Sequence, residues 1–516
     1  MQQWERDYQL LLAIGQKYLE ETAVPPTDVR EDFSLVRKIY DKYRKDDAFH
    51  FLDQIRPFYA MMQRKNKEIK GCHQDRKASL PGKVIDFAAH HIKKKGRAPL
   101  SPMEITENLE EKVEEKQEVT PPRKAIWTKV SLHSQIAQTE LEGIKRGEEE
   151  FDAYLDRLLS HRLDETTEFG QSMDISFLEN YLRGFSPEWQ WLYFDSLLSI
   201  AQQYGLGNAQ VVNDKGICVG GTGFNLAFFG APGSGKTFAI KEMILGNEDN
   251  NVKAHGLPGK NRYCGGMTAA RFIRMGEAYQ GKRFNFIIPE FNDWFVSSKG
   301  MTDRLKLALE QGKVAYETAH ETIGPYTFDS FFSVNYNTKT KEKDYQTVVN
   351  DPNFAAIEDR MLCNLHKMTK ERYDAVAKSQ EKLALGKINM NEAEHIRDHV
   401  TLIHAIETEY PKVRGQFTPK KILITEESYK YIARAREGLL SQVEGQDVPF
   451  SSRLEKRAVQ LACALSLMSY FQQESDILTI PQNALDYAIR FYVQEAAVRS
   501  HGSIDAEYVL KELGRQ

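Results

Sequence analysis

Residues 230–237, Gly-Ala-Pro-Gly-Ser-Gly-Lys-Thr, hold the chain's densest chemical signal. The spacing GxxxxGK[ST] belongs to loops whose backbone N–H groups turn inward around a polyphosphate. In such a loop Gly230, Ala231, Pro232, Gly233, Ser234 and Gly235 cradle phosphate oxygens. Lys236 sets a point charge beside the outer phosphates, and the Thr237 hydroxyl ligates Mg²⁺. Phe238 follows directly, at the start of the next element. The chemistry expected is binding of ATP with Mg²⁺, and hydrolysis where a base stands beside the terminal phosphate.

Such a loop needs a strand before it and a helix after it. Phe224–Phe229 (FNLAFF) predicts a buried strand, and Phe238–Leu245 (FAIKEMIL) a helix whose N-terminus faces the phosphates. A second apolar run, Phe284–Ile288 (FNFII), predicts another strand, and Pro289-Glu290-Phe291 follows it. Glu290 is therefore the candidate for polarising an attacking water, with a capping or salt-bridging role as the plainer alternative. A third run, Phe331–Val334, leads into Asn335, whose amide can reach the γ-phosphate or the water. Asn337 competes for that role two residues on, and a turn-forming asparagine also fits. Strands and helices alternate over 206–365, the pattern of an α/β core with a parallel sheet covered by helices on both faces.

The flanks read differently. Residues 1–125 form a helical N-terminal region, with Trp4, Tyr8, Leu11, Ile14 and Tyr18, then Phe33, Val36, Ile39 and Tyr40, at helical spacing. Within it, 84–109 suits a small winged or helix-turn-helix module. Its run Lys93-Lys94-Lys95-Gly96-Arg97 fits either a phosphate backbone or a solvated loop. The charged stretch 107–124 reads as a linker. Residues 126–205 form a helical connector: a long polar helix over 130–162, a break at Phe169-Gly170-Gln171-Ser172, and an aromatic-rich helical pattern over 174–205. That pattern places Phe177, Leu178, Tyr181, Leu182, Trp189, Trp191, Leu192 and Phe194 against the core. Residues 366–516 read as helix again.

Bulk composition narrows the function classes. Among 516 residues the net charge is −4, so any nucleic-acid contact must come from local patches rather than a global basic field. Five scattered cysteines without a CxxC pair argue against a zinc ribbon and against a disulfide framework. The N-terminal MQQWERDYQL lacks an apolar signal core, and no apolar run has membrane-spanning length. These features point to a reducing, cytoplasmic compartment, nucleoid-associated if the chain sits on DNA.

Further segments line up in order around the loop. They are Cys264-Gly265-Gly266-Met267-Thr268-Ala269-Ala270, Ile288-Pro289-Glu290-Phe291, Leu309-Glu310-Gln311, Ile357-Glu358-Asp359-Arg360 and Ser452-Arg453-Leu454-Glu455. In this order they resemble the GLTA, IDEF, MEQ, SRFD and RQLE segments of the minichromosome maintenance (MCM) helicases, within the AAA+ ATPases. Leu478-Thr479-Ile480-Pro481, followed by Ala484, Ala488 and Ile489, is similar to the closing part of that family's C-terminal lid. The likeness covers roughly 174–495. It implies an AAA+ core with a helical lid, Glu290 as catalytic base, Asn335 as first sensor, and Arg360 and Arg453 acting from a neighbouring subunit. It further implies a hexameric ring working on DNA as a helicase or replication-initiation ATPase, with no membrane role.

The chain departs from the family pattern in three places. Pro289 stands where the family has the Asp that holds Mg²⁺ through water. There is little room between Thr268 and Phe284 for the family's inserted hairpin. The later hairpin carries His320 near its tip, with Lys313 at its base, instead of a DNA-contacting Lys there. Residues 1–170 show no metal-ligand spacing, so no zinc is expected, and no strand series of an OB-fold. Two other function classes stay open: an AAA+ remodeller acting on a protein partner, and an ATP-dependent scaffold that hydrolyses little.

Overall fold

The computed structural model describes residues 7, 10, 11, 14, 26–44, 59, 62, 127–185, 190–296, 300–317, 322–340, 345–347, 353–366, 368–445, 447, 448 and 450–514. Its contacts divide the chain into two units, Met1–Lys124 and Ala125–Gln516. In the first, the helix Pro26–Arg44 buries Val29, Val36 and Ile39 along one stripe. Tyr40 and Phe33 stack on Tyr59, with ring centroids 4.2 and 5.9 Å apart. The module expected over 84–109 and the linker over 107–124 lie outside the described residues.

Among the described residues the second unit contains twelve strands: β1 (Gln210–Asn213), β2 (Cys218–Gly221), β3 (Leu226–Gly230), β4 (Asn261–Tyr263), β5 (Asn285–Ile288), β6 (Lys313–Glu317), β7 (Thr322–Thr327), β8 (Phe331–Thr340), β9 (Tyr345–Thr347), β10 (Leu362–His366), β11 (Lys421–Ile424) and β12 (Ile477–Thr479). The main sheet runs β10-β3-β8-β5-β4, with all four pairings parallel. Short β9 pairs antiparallel with the far part of β8.

The apolar runs that predicted β3 and β5 are continuous because both faces of these strands are covered. Every residue of β3 and of β5 is buried. Alternation then splits them between two cores. Leu226, Phe228, Ile287 and Leu362 enter the core formed with the helices Gln190–Gly205, Ala393–Glu407, Arg453–Ser466 and Gln482–Arg499. Ala227, Phe229, Phe286, Ile288 and Cys363 enter the opposite core, with Phe272, Trp294, Leu305 and Ile357. The architecture is mixed α/β: a parallel sheet between helices.

Two details differ from the sequence reading. The expected break at Phe169–Ser172 lies inside the helix Leu163–Ser172; the chain leaves helical geometry at Arg162 and Met173 instead. Gly170 is there for closeness, since a Cβ would come within 2.4 Å of the Phe471 ring. Two short strands, β11 and β12, interrupt the helical stretch expected over 366–516. They join β1 and β2 in a second sheet of order β12-β11-β1-β2. Among the described residues, no helix is long and apolar enough to cross a membrane.

Candidate functional site

The loop after β3 turns on its glycines. Gly233 and Gly235 have φ of +75° and +88°, the left-handed region a side chain disfavours. At Gly233 no atom lies within 4 Å of an added Cβ, so backbone conformation, not space, requires glycine. Ser234 Oγ donates to the Ala231 carbonyl at 2.8 Å, and Lys236 Nζ to the same carbonyl at 2.7 Å and to Gly230 O at 3.2 Å. Lys236 is only 5% exposed. Burial pulls its ammonium down to about 8, and neighbouring Arg372 adds to the effect, while Glu290 and Asp195 oppose it. The following helix begins with a π-wound turn, Phe238–Glu242, continues over Met243–Leu245 and stops at Gly246, φ +79°.

β8 lies between β3 and β5, so its C-terminal half stands beside both the glycine loop and the end of β5. Asn335 is in register with Phe228 and Asn337 with Gly230. Two residues apart on a strand, both amides share a face. Asn335 Nδ2 donates to Thr237 Oγ1 at 3.0 Å, and Asn337 Oδ1 lies 3.4 Å from Lys236 Nζ. Both asparagines that the sequence set in competition therefore reach the loop.

Glu290 is carried by the turn after β5, and β8 pins that turn. Phe291 N–H donates to the Asn335 carbonyl at 3.0 Å, and Asn292 Oδ1 accepts from Asn337 N–H at 3.3 Å. Glu290, Asn335, Asn337 and the loop 232–238 line one cavity of about 570 Å³. Pro289 is buried, and Asp293, exposed at the start of the helix Asp293–Val296, does not line the cavity. Among the described residues no group of three His, Cys, Asp or Glu forms a preset metal cage. The oxygens present still suit Mg²⁺, which keeps most of its waters and takes one or two protein ligands alongside phosphate. Thr237 Oγ1 is the inner candidate, with Glu290 in the same cavity.

The opposite wall was not foreseen. It comes from the helix Lys370–Ala384, through Val376, Ser379, Gln380 and Leu383, and from Ile388. Glu242 and the turn Asp249–Asn251 close the side. Phe238 packs against the Ala375–Val376 pair and joins the two walls. In sequence this helix is mostly polar (KERYDAVAKSQEKLA), and the only signal was the spacing of Ala375, Val376 and Leu383.

Arg360 and Arg453 do not line the cavity. They meet elsewhere, at Glu310 and Asp359. Arg360 Nε donates to Glu310 Oε2 at 3.0 Å; Arg453 donates to Glu310 Oε1 at 2.7 Å and to Asp359 Oδ2 at 2.9 Å. Hydrogen bonds from the two arginines hold the Glu310 carboxyl below its usual range. Three of the ordered sequence segments, more than 140 residues apart at their ends, thus converge on one ion cluster. Gly312, at φ +58°, ends the helix Met301–Gln311, and the hairpin β6–β7 follows it directly. Its tip, including His320, lies outside the described residues.

No protein-family model matches the chain, and no curated protein matches its sequence. The cavity lining is polar where glycines, ammonium, hydroxyl and amides converge, and partly apolar at the Val376–Leu383 end.

Proposed function

We propose that the cavity binds ATP with Mg²⁺ and that the chain hydrolyses it as an MCM-like AAA+ motor acting on DNA. One observation carries this reading. Lys236 and Thr237 after β3, Asn335 on β8 and Glu290 after β5 converge on one cavity at the carboxyl ends of parallel strands, where open α/β sheets bind ligands. Loop amides and Lys236 hold the phosphates, and Thr237 is the residue that ligates the metal. Mg²⁺, when bound, neutralises charge on the phosphate oxygens. Glu290 orients and polarises the attacking water, and Asn335 fixes Thr237 while its strand anchors the turn bearing Glu290.

The ordered likeness to MCM segments supports DNA as the track and a hexameric ring as the assembly. In that ring Arg360 and Arg453 serve a neighbouring subunit's phosphates, stabilising charge as it develops. Steady-state ATP hydrolysis with and without single-stranded DNA tests the reading. Stimulation by DNA, abolished in Lys236→Ala and lowered about 10²- to 10⁴-fold in Glu290→Gln, is expected. Turnover indifferent to both substitutions contradicts it.

Pro289 favours a second reading, a nucleotide-dependent scaffold or protein remodeller with slow turnover, because the position beside Glu290 offers no carboxylate. Slow wild-type hydrolysis that rises in Pro289→Asp distinguishes this case from a fast motor.

A further inference from the structure

Arg372 is a buried cation to which the proposed phosphate chemistry gives no role. Arg372, 5% exposed, stands in the first turn of the helix Lys370–Ala384. Its Nη2 donates to the carbonyl of Ser234, inside the glycine loop, at 3.2 Å. The helix start is fixed at the same point, because Thr369 Oγ1 accepts from Arg372 N–H at 3.2 Å. Asp195, on the helix Gln190–Gly205, supplies the opposing charge that favours the guanidinium.

Beyond Arg372, the same helix becomes the cavity wall. Val376, Ser379 with its neighbour Gln380, and Leu383 succeed Arg372 roughly one helical turn apart, so they lie on the face that Arg372 begins. Phe238, the first residue after the glycine loop, packs against the Ala375–Val376 pair of this helix. A bare polyphosphate has no use for Val376 and Leu383, whereas the flat apolar face of a nucleobase does. Ser379 and Gln380 add hydrogen-bonding groups for its polar edge.

We propose, on the reading of the cavity as a triphosphate site, that Arg372 is a positioning residue that clamps the nucleoside-binding wall to the phosphate loop through Ser234. The wall and loop then engage base and phosphates as one unit, and the preferred ligand is a nucleoside triphosphate rather than any polyphosphate.

The test is equilibrium binding of ATP and of inorganic tripolyphosphate, each with Mg²⁺, to the full chain. Wild type is expected to prefer ATP. Leu383→Ala weakens ATP roughly tenfold and leaves tripolyphosphate unchanged. Arg372→Met removes most of the preference, and Arg372→Lys, which keeps a donor, recovers part of it. In a cycle of Arg372→Met with Leu383→Ala, the double variant loses clearly less ATP affinity than the product of the single losses, since both act through one helix. Additive losses, equal losses for both ligands, or an unaffected Leu383→Ala overturn the proposal. Leu383→Ala and Arg372→Lys decide it even where Arg372→Met does not fold. Equal wild-type affinity for both ligands rejects the clamp alone; binding of neither rejects the triphosphate site itself.

Discussion

Asn335 Nδ2 donates to Thr237 Oγ1 at 3.0 Å, joining the strand between β3 and β5 to the hydroxyl that closes the glycine loop. The same residue's carbonyl accepts from Phe291 N–H, the peptide after Glu290. One asparagine thus orients the proposed metal ligand by its side chain and the proposed base by its backbone. Asn335→Ala removes only the first link. It is expected to lower kcat about 10- to 100-fold while ATP affinity changes by less than about threefold, as when an interaction serves the transition state. Parallel measurement of hydrolysis and equilibrium binding checks this; loss of affinity with unchanged kcat goes against it.

Lys236 separates function from stability. Its ammonium is buried on loop carbonyls with no direct carboxylate hydrogen bond among its described contacts, and burial depresses its ionisation. Lys236→Met removes a desolvated charge, so thermal stability is expected to hold or rise slightly. Triphosphate affinity falls about 10- to 100-fold with the lost charge-assisted contacts. Calorimetric melting and ATP titration of the same variant test the pair of outcomes, and a large drop in melting temperature counts against it.

The arginines of the ion cluster differ in exposure. Arg360 has a side chain 11% exposed, while Arg453 is 41% exposed and shares Glu310, itself 38% exposed. Arg360→Ala is expected to destabilise the fold by about 2 kcal/mol, leaving Glu310 partly unpaired. Arg453→Ala costs under about 1 kcal/mol because solvent screens its pairs. If Arg453 serves a neighbouring subunit, mixing inactive Arg453→Ala with inactive Lys236→Ala restores hydrolysis; silence in the mixture places its role within one chain.

Acid sensitivity should trace to a buried histidine. His255 accepts from Tyr181 Oη at Nε2, 2.8 Å, and its Nδ1 faces the Met243 carbonyl at 3.2 Å. Burial lowers it from 6.5 to about 4. The unfolded chain therefore binds the extra proton first, and stability is lost as pH falls from 6.5 towards 4. Between 6.5 and about pH 5 the loss from this group is about 2 kcal/mol. His399 and His404, both lowered by burial, act in the same sense as His255, while Glu407 and Glu495, raised to about 7 by burial, act in the opposite sense as pH rises above their usual range, so the wild-type slope is a sum. His255→Gln is expected to lose less stability than wild type over the same acid step in urea melts; equal losses assign the effect elsewhere.

What could be read from sequence followed from local physics. β3 and β5 were legible because a strand covered on both faces is mostly apolar, here broken only by Asn285, whose side chain is hydrogen-bonded to Asn261. The position of Glu290 followed from the end of β5, whereas Asn335, expected where its strand ends, sits mid-strand because β8 runs on to Thr340. The cavity wall on the helix Lys370–Ala384 was not legible, because Arg372 reaches the loop and Leu383 the cavity only after β10 has returned beside β3. Gly170 was misread as a breaker because its reason, the Phe471 ring, lies some 300 residues away. The strands β11 and β12 were hidden by their length: each is short and set among helices, β11 pairing with β1 from far earlier in the chain and β12 pairing with β11.

The central claim is that this cavity is an ATP site built on Lys236, Thr237, Asn335 and Glu290. Its most direct test is calorimetric titration of ATP with Mg²⁺ into wild type, Glu290→Gln and Lys236→Ala. The account predicts one site per chain, affinity retained in Glu290→Gln, and affinity reduced at least tenfold in Lys236→Ala. No binding to wild type, or equal binding to all three proteins, contradicts it.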